Sequence, residues 1–154
     1  LSYQPEPYEL LIDSQTVKEK AFLVACGNAS QYGNNAFIAP HANIQDGKMD
    51  ITILSPFGPL DIAPLAIQLF TKQIDRNSKI KTFKGKEVTI IRQNPGVMHL
   101  DGEPIMADSR IEISVLPKSL NVLTPETVSF TEEVQNLFGE VTRFFDKKLP
   151  YIFR

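Results

Sequence analysis

Arg110-Ile111-Glu112-Ile113-Ser114-Val115 is the stretch that decides the fold class. Ile111, Ile113 and Val115 alternate with Glu112 and Ser114, the period-two pattern of a strand with one face inward and one toward water. The same alternation recurs upstream: Ile51 and Ile53 flank Thr52, Ile80 lies between Lys79 and Lys81, and Val88 and Ile90 flank Thr89. Tyr8, Leu10 and Ile12 alternate before an Asp13-Ser14 turn signal. Ala21 to Cys26 is a continuous apolar run whose length suits a strand buried on both faces, and these two segments are expected to form the first hairpin. Asp46-Gly47, Lys84-Gly85, Asn94-Pro95-Gly96 and Asp101-Gly102 supply turn chemistry at short intervals. The predicted class is mainly β, an antiparallel β-sandwich or an open barrel.

Two stretches follow a helical period. Asp61 can cap a helix running to about Gln73, with Leu65, Leu69 and Phe70 on one face and Pro64 in the first turn, where it is tolerated. In the tail, Ser129 and Glu132 have capping-box spacing, and Val134, Leu137, Phe138, Val141 and Phe144 recur at helical intervals before Pro150, which predicts an amphipathic C-terminal helix. Pro117 and Pro125 bracket a stretch with little periodicity. The expected organisation is therefore a β-sandwich over 1–122 and a connector with the C-terminal helix over 123–154.

Composition excludes several classes. The 154 residues are 42% apolar and 22% charged, which argues for a compact globule and against a disordered or coiled-coil chain. A formal net charge of −2 lacks the electrostatic footprint of a nucleic-acid binder. The single cysteine, Cys26, makes no intramolecular disulfide and no Cys-pair zinc site, so a cytoplasmic location is expected. No apolar run approaches the ~18 to 20 residues that span a bilayer. The chain starts at Leu1, as a piece of a longer protein would.

Three segments could carry chemistry. In His99-Leu100-Asp101-Gly102-Glu103-Pro104, two carboxylates flank a turn glycine and could face one open sheet edge, where they could hold Mg²⁺ against phosphate or accept a proton from an attacking hydroxyl. A solvated hairpin has the same spacing, and spacing alone does not separate the two. Asp46-Gly47-Lys48-Met49-Asp50, after Ala39-Pro40-His41-Ala42-Asn43, is an oxygen-rich turn of the kind hard cations favour, or a plain strand connection with Asp50 exposed. Gly27-Asn28-Ala29-Ser30-Gln31-Tyr32-Gly33-Asn34-Asn35 could leave amides free for a phosphate or a substrate hydroxyl, with Asn28, Tyr32 and Gly33 as candidate substrate-binding residues; it lacks the Lys-Ser/Thr ending of a P-loop. His41 and His99 are too few for a His-rich metal site. Lys79, Lys81, Lys84, Lys86 and Arg92 could approach anionic lipid headgroups or form a solvated strand face.

Taken in order, Gly27-Asn28, Tyr32-Gly33, Ile38-Ala39-Pro40, Ala42, Asp46-Gly47 with Asp50-Ile51, and Leu100-Asp101-Gly102-Glu103 resemble the C-terminal domain of the diacylglycerol kinase and sphingosine kinase-like lipid kinases, above all their bacterial members, within the NAD kinase-like superfamily. The resemblance covers about residues 20 to 120 and does not extend to the tail. In that family a nucleotide-binding domain with a Gly-Gly-Asp-Gly-Thr motif precedes the β-sandwich, and ATP and lipid meet between them. This chain has no such motif, so the resemblance implies the second domain alone, inactive by itself, serving as the acceptor-side domain of an ATP-dependent lipid kinase.

The resemblance further implies ATP and Mg²⁺ as cofactors, a diacylglycerol- or sphingoid-like substrate and the missing N-terminal domain as partner. It also implies transient contact with the inner membrane face, and it leaves a homodimer open. Asp101 would be the general base and Glu103 a Mg²⁺-phosphate ligand or second acid. Asp46 and the Met49 carbonyl would sit at a structural cation. The lipid is expected in an apolar groove between the sandwich layers. Two departures stand out: Asn34-Asn35 replaces further glycine after Tyr32-Gly33, and the Gly and His that follow the helix in many relatives are missing around Thr71-Lys72-Gln73. Two other classes fit the same residues: a β-sandwich binding module without catalysis, and a domain of a kinase for a soluble acceptor such as NAD.

Overall fold

A computed structural model describes residues 4–121 and 123. The chain divides into one compact unit, Leu1–Pro117, and a second, Lys118–Arg154; every element below lies in the first. The helix expected over Ser129 to Phe144 lies outside the described residues.

The alternating segments form the strands that the pattern predicts. In chain order they are β1 (Glu6–Ile12), β2 (Gln15–Ala21), β3 (Leu23–Gly27), β4 (Met49–Leu54), β5 (Ile80–Gly85), β6 (Glu87–Arg92), β7 (Gly96–Leu100), β8 (Glu103–Ala107) and β9 (Arg110–Ser114). They assemble into a four-stranded sheet ordered β2-β1-β6-β9, a three-stranded sheet ordered β3-β4-β5, and a separate β7-β8 hairpin, all antiparallel.

Alternation places the apolar set of each larger sheet on one face, and the two faces share a core. Leu10, Ile12, Val17, Ala21, Val88 and Ile90 of the first sheet meet Met49, Ile51 and Ile53 of the second. Leu10, Ile51 and Ile53 are fully buried. Each such side chain stabilises the fold by about 1.5–3 kcal/mol relative to exposure. These side chains occupy the space between the layers, so the interlayer groove expected for a lipid is filled by the core.

Three local expectations are corrected. The partner of Tyr8-Leu10-Ile12 is Gln15–Ala21, with Leu10 opposite Val17, rather than the Ala21–Cys26 run. The two-residue Asp13-Ser14 turn leaves no room for a longer connection, and Asp13 takes the left-handed backbone it needs (φ 50°). The apolar run instead crosses to the other sheet as β3, an edge strand whose Leu23 is 40% exposed, so it is not buried on both faces. The helix, α1 (Ile62–Phe70), follows a 3₁₀ turn, Pro59–Asp61, and ends three residues before Gln73.

Lys72 stops α1 by adopting φ 59°, the left-handed position usually given to glycine, with its ammonium 4.5 Å from the Phe37 ring centroid. Asp61 does not bond the first-turn amides of α1; its carboxylate accepts from the Gly58 N–H at 2.8 Å. Leu65 is buried with Ile74 and Ile80, and Leu69 packs on them, whereas Phe70 faces solvent.

Candidate functional site

The sequence candidates fall into two groups on different sheets. Asp101 and Gly102 are the two central residues of the β7-β8 turn, at φ 49° and 92°, so both adopt the positive φ of a type I′ hairpin turn. Leu100 pairs with Glu103, and His99 with Pro104. Directly opposed residues share a face. Glu103 therefore stands beside Leu100 on the face that carries Met98 and Ile105, while Val97, His99, Pro104 and Met106 occupy the other.

Neither strand of the hairpin contains a buried residue; Val97 is 59% exposed and Met106 72%. The hairpin thus presents two solvent-facing carboxylates at its tip above apolar side chains on both faces. Among the described residues, neither acid has a hydrogen-bond or ion-pair partner.

The second group surrounds the start of β4. Gly27 pairs with Asp50, so the Asn28 segment and the Asp46 turn leave the same end of the three-stranded sheet. Asp46 folds its own turn, with Oδ1 accepting from the Lys48 N–H at 2.9 Å and Oδ2 3.2 Å from Lys84 Nζ. The Lys48 amide, ahead of Lys84, holds the Asp46 carboxyl below the usual range. Asp50, expected to be exposed, is 7% exposed, because Lys84 arrives on the neighbouring strand with Nζ 3.3 Å from Asp50 Oδ2.

Desolvation pulls the Lys84 ammonium down in pKa, but its hydrogen bond to Asp46 and its ion pair with Asp50 outweigh that, and its pKa is raised. His41 Nε2 lies 3.3 Å from Asp75 Oδ2. His41, Asp50, Asp75 and Lys84, with Thr52 and Phe83, line a pocket of about 210 Å³.

That geometry tests the cation expected at Asp46 and Met49. Met49 is a buried β4 residue, and both Asp46 oxygens already serve Lys48 and Lys84. Among the described residues no group of three or more His, Cys, Asp or Glu side chains is placed to hold a metal. A cation at Asp46 would share its oxygens with the Lys48 amide and sit beside the Lys84 ammonium, whose like charge opposes it, so the donor set is a poor fit for a resident ion. The tip of the hairpin differs, since Mg²⁺ usually takes one or two carboxylates plus phosphate oxygens and keeps its waters, and Asp101 and Glu103 can supply the carboxylates.

In the Asn28 segment, Asn28 and Tyr32 are exposed, the latter at 63%. Gly33 and Ala36 close a bridge around Asn34 (φ 46°) and Asn35 (φ 61°). Asparagine tolerates left-handed backbone, so Asn34-Asn35 makes a tight turn where glycine would do so freely. The Phe37 N–H to Leu69 carbonyl bond (3.0 Å) pins this loop to α1, and the Thr52 Oγ1 to Ile38 carbonyl bond (2.9 Å) pins it to β4.

The remaining singled-out residues are structural. Burial pushes the Cys26 thiol up to about 12, which leaves it protonated and unreactive near neutral pH. Lys79, Lys81 and Lys84 pair with Asp61, Glu19, and Asp46 with Asp50. Three of the five cations in the run are therefore compensated by acids, and Arg92 is engaged by backbone carbonyls. No described helix is long and apolar enough to cross a membrane. Asp75 and the paired role of Lys84 were not read from the sequence, because both depend on contacts across more than thirty residues of chain.

Comparison with known proteins adds the family. The model of the YegS C-terminal NAD kinase beta sandwich-like domain matches residues 1–124. The "Probable lipid kinase YegS-like" protein of Shewanella frigidimarina is 28% identical over 125 residues, which cover 81% of this chain and 40% of that one. A diacylglycerol kinase of Mycobacterium tuberculosis is 28% identical over 127 residues, 79% of this chain and 39% of that one. A crystal structure of a diacylglycerol kinase from Bacillus anthracis superposes with a TM-score of 0.62 at 22% identity, over 76% of this chain and 40% of that one, and shows the same fold. The chain thus spans about 40% of the length of these relatives. With its two-layer antiparallel core and a family match over most of its length, the chain belongs to the YegS C-terminal NAD kinase beta sandwich-like domains, a domain of the YegS and diacylglycerol kinase-like lipid kinases.

Proposed function

We propose that this chain is the acceptor-side domain of an ATP-dependent lipid kinase, with the β7-β8 tip as its contribution to the active site. The supporting observation is the pairing of two unpartnered, solvent-facing carboxylates with an exposed apolar hairpin, in a domain whose relatives are named lipid and diacylglycerol kinases. A diacylglycerol- or sphingoid-like acceptor needs both features: a base for its hydroxyl and apolar surface for the chain next to it.

In this reading ATP is held by a nucleotide-binding domain corresponding to the remaining length of the relatives. Asp101 takes the proton of the lipid hydroxyl as that oxygen attacks the γ-phosphorus in line; the β–γ bridging bond breaks, and ADP leaves with the bridging oxygen and its electron pair. Glu103, the residue after the turn glycine, would hold Mg²⁺ or the phosphate, and the ion would supply charge neutralisation there. Asn28, Tyr32 and Gly33 contact the acceptor from the loop after β3. Contact with the inner membrane face is transient, made to collect the lipid.

A second reading, a kinase for a soluble acceptor, is favoured by the filled interlayer space and by the charged side chains of Asp50, Asp75 and Lys84 that line the neighbouring pocket. Transfer of labelled phosphate from ATP into a mixed lipid extract by the full-length protein, beside Asp101→Asn, separates the readings. Labelled lipid that disappears in the variant is the expected result. A labelled water-soluble product would replace the lipid with a soluble acceptor, and failure to bind ATP would reduce the domain to a binding module.

A further inference from the structure

We propose that Arg92 is the positioning residue of the β7-β8 hairpin, a fork that fixes the angle at which the Asp101–Glu103 tip is presented. A two-stranded hairpin is at best marginally stable in water, and this one belongs to neither larger sheet and buries none of its residues. Something outside it has to hold it.

Arg92 is the last residue of β6 and is paired with Tyr8 of β1, so its backbone belongs to the four-stranded sheet. Its side chain reaches into the hairpin. Nη2 donates to the carbonyls of Gly96 and Ala107, each at 2.6 Å, and these two residues face each other at the open end of the β7-β8 ladder. Nη1 donates to the Val97 carbonyl at 3.4 Å and Nε to the Asp108 carbonyl at 3.2 Å. The Arg92 N–H adds a 2.8 Å bond to the Ser109 carbonyl in the link to β9.

A planar guanidinium can aim donors at both strands at once, and charge-assisted bonds are stronger than neutral ones; an ammonium has no such fork. Because the fork is occupied by carbonyls, Arg92 is ill-suited to bind phosphate itself. Five residues at about 3.3 Å each put the tip roughly 15 Å from the clamp, so a rotation of about 5° at the base moves the carboxylates by about 1 Å. Displacements of that size can cost on the order of 100-fold in a reaction that depends on alignment.

The catalytic half of this inference rests on the proposed function, and the structural half does not. The test uses the full-length protein with Arg92→Lys and Arg92→Ala. Amide exchange across residues 96–107 is expected to speed up by about 10-fold or more while the β1 and β4 amides stay protected. Turnover is expected to fall by about 10-fold or more, with the KM for ATP unchanged. If Arg92→Ala does not fold, Arg92→Lys carries the test, since it keeps the charge and removes the fork. Unchanged exchange across 96–107 would overturn the clamp regardless of function. A loosened hairpin with wild-type turnover would overturn the positioning role; where Asp101→Asn also turns over normally, the fault lies in the reading of the tip.

Discussion

The sandwich body and the β7-β8 hairpin are built from similar apolar residues and held by opposite means. In the body, Leu10, Ile51, Ile53 and Val88 disappear into one core, and the positions of the strands follow from burial. In the hairpin, Val97, Leu100, Ile105 and Met106 stay in solvent, and the ladder is tied to the body by the Arg92 donors. Apolar content alone therefore does not say which segment is core. The hairpin, which contains no buried residue, carries two exposed acids at its tip.

Substitutions can break or sharpen that contrast. Ile51→Ala empties a fully buried position and is expected to cost about 2–5 kcal/mol in urea unfolding. Gly85→Ala comes next, since an added Cβ would lie 2.6 Å from Cγ2 of the buried Ile12, an overpacking worth about 1–3 kcal/mol by the same measurement.

The Asp13 turn gives a smaller, pH-dependent effect. Asp13 Oδ1 accepts from the Glu87 and Lys86 amides at 2.9 Å, and those bonds lower its pKa. A carboxylate with a folded pKa below its unfolded value of about 3.9 stabilises in full above that value and loses its contribution as pH falls through the folded one. The urea midpoint should therefore exceed that of Asp13→Asn at pH 7, with the gap closing below about pH 4. Smallest of all, Met106→Ser on the open hairpin should shift stability by less than about 0.5 kcal/mol, because Met106 is 72% exposed. A Met106 cost similar to that of Ile51 would erase the distinction between the two regions.

Much of the body was legible in the sequence. β1, β4, β6 and β9 follow from alternation, and the Asp101-Gly102 turn follows from its dipeptide. β2 was missed because Gln15-Thr16-Val17-Lys18-Glu19-Lys20 is mostly polar, as suits an edge strand that turns only Val17 and Ala21 into the core. β3 was overread as buried because its apolar composition does not reveal that it lies at an edge. The site was legible only as far as local chemistry reaches. The acids at the tip stand two residues apart in the chain, whereas the burial of Asp50 depends on Lys84 and the hold on the hairpin depends on where the Arg92 side chain turns.

The most direct test compares phosphate transfer per folded molecule for Asp101→Asn, Glu103→Gln and Ile51→Val in the full-length protein, with the melting temperature of each. The account predicts that Glu103→Gln loses about 100-fold or more in turnover at an unchanged melting temperature, while Ile51→Val melts earlier and turns over normally. Wild-type turnover in both Glu103→Gln and Asp101→Asn would contradict it.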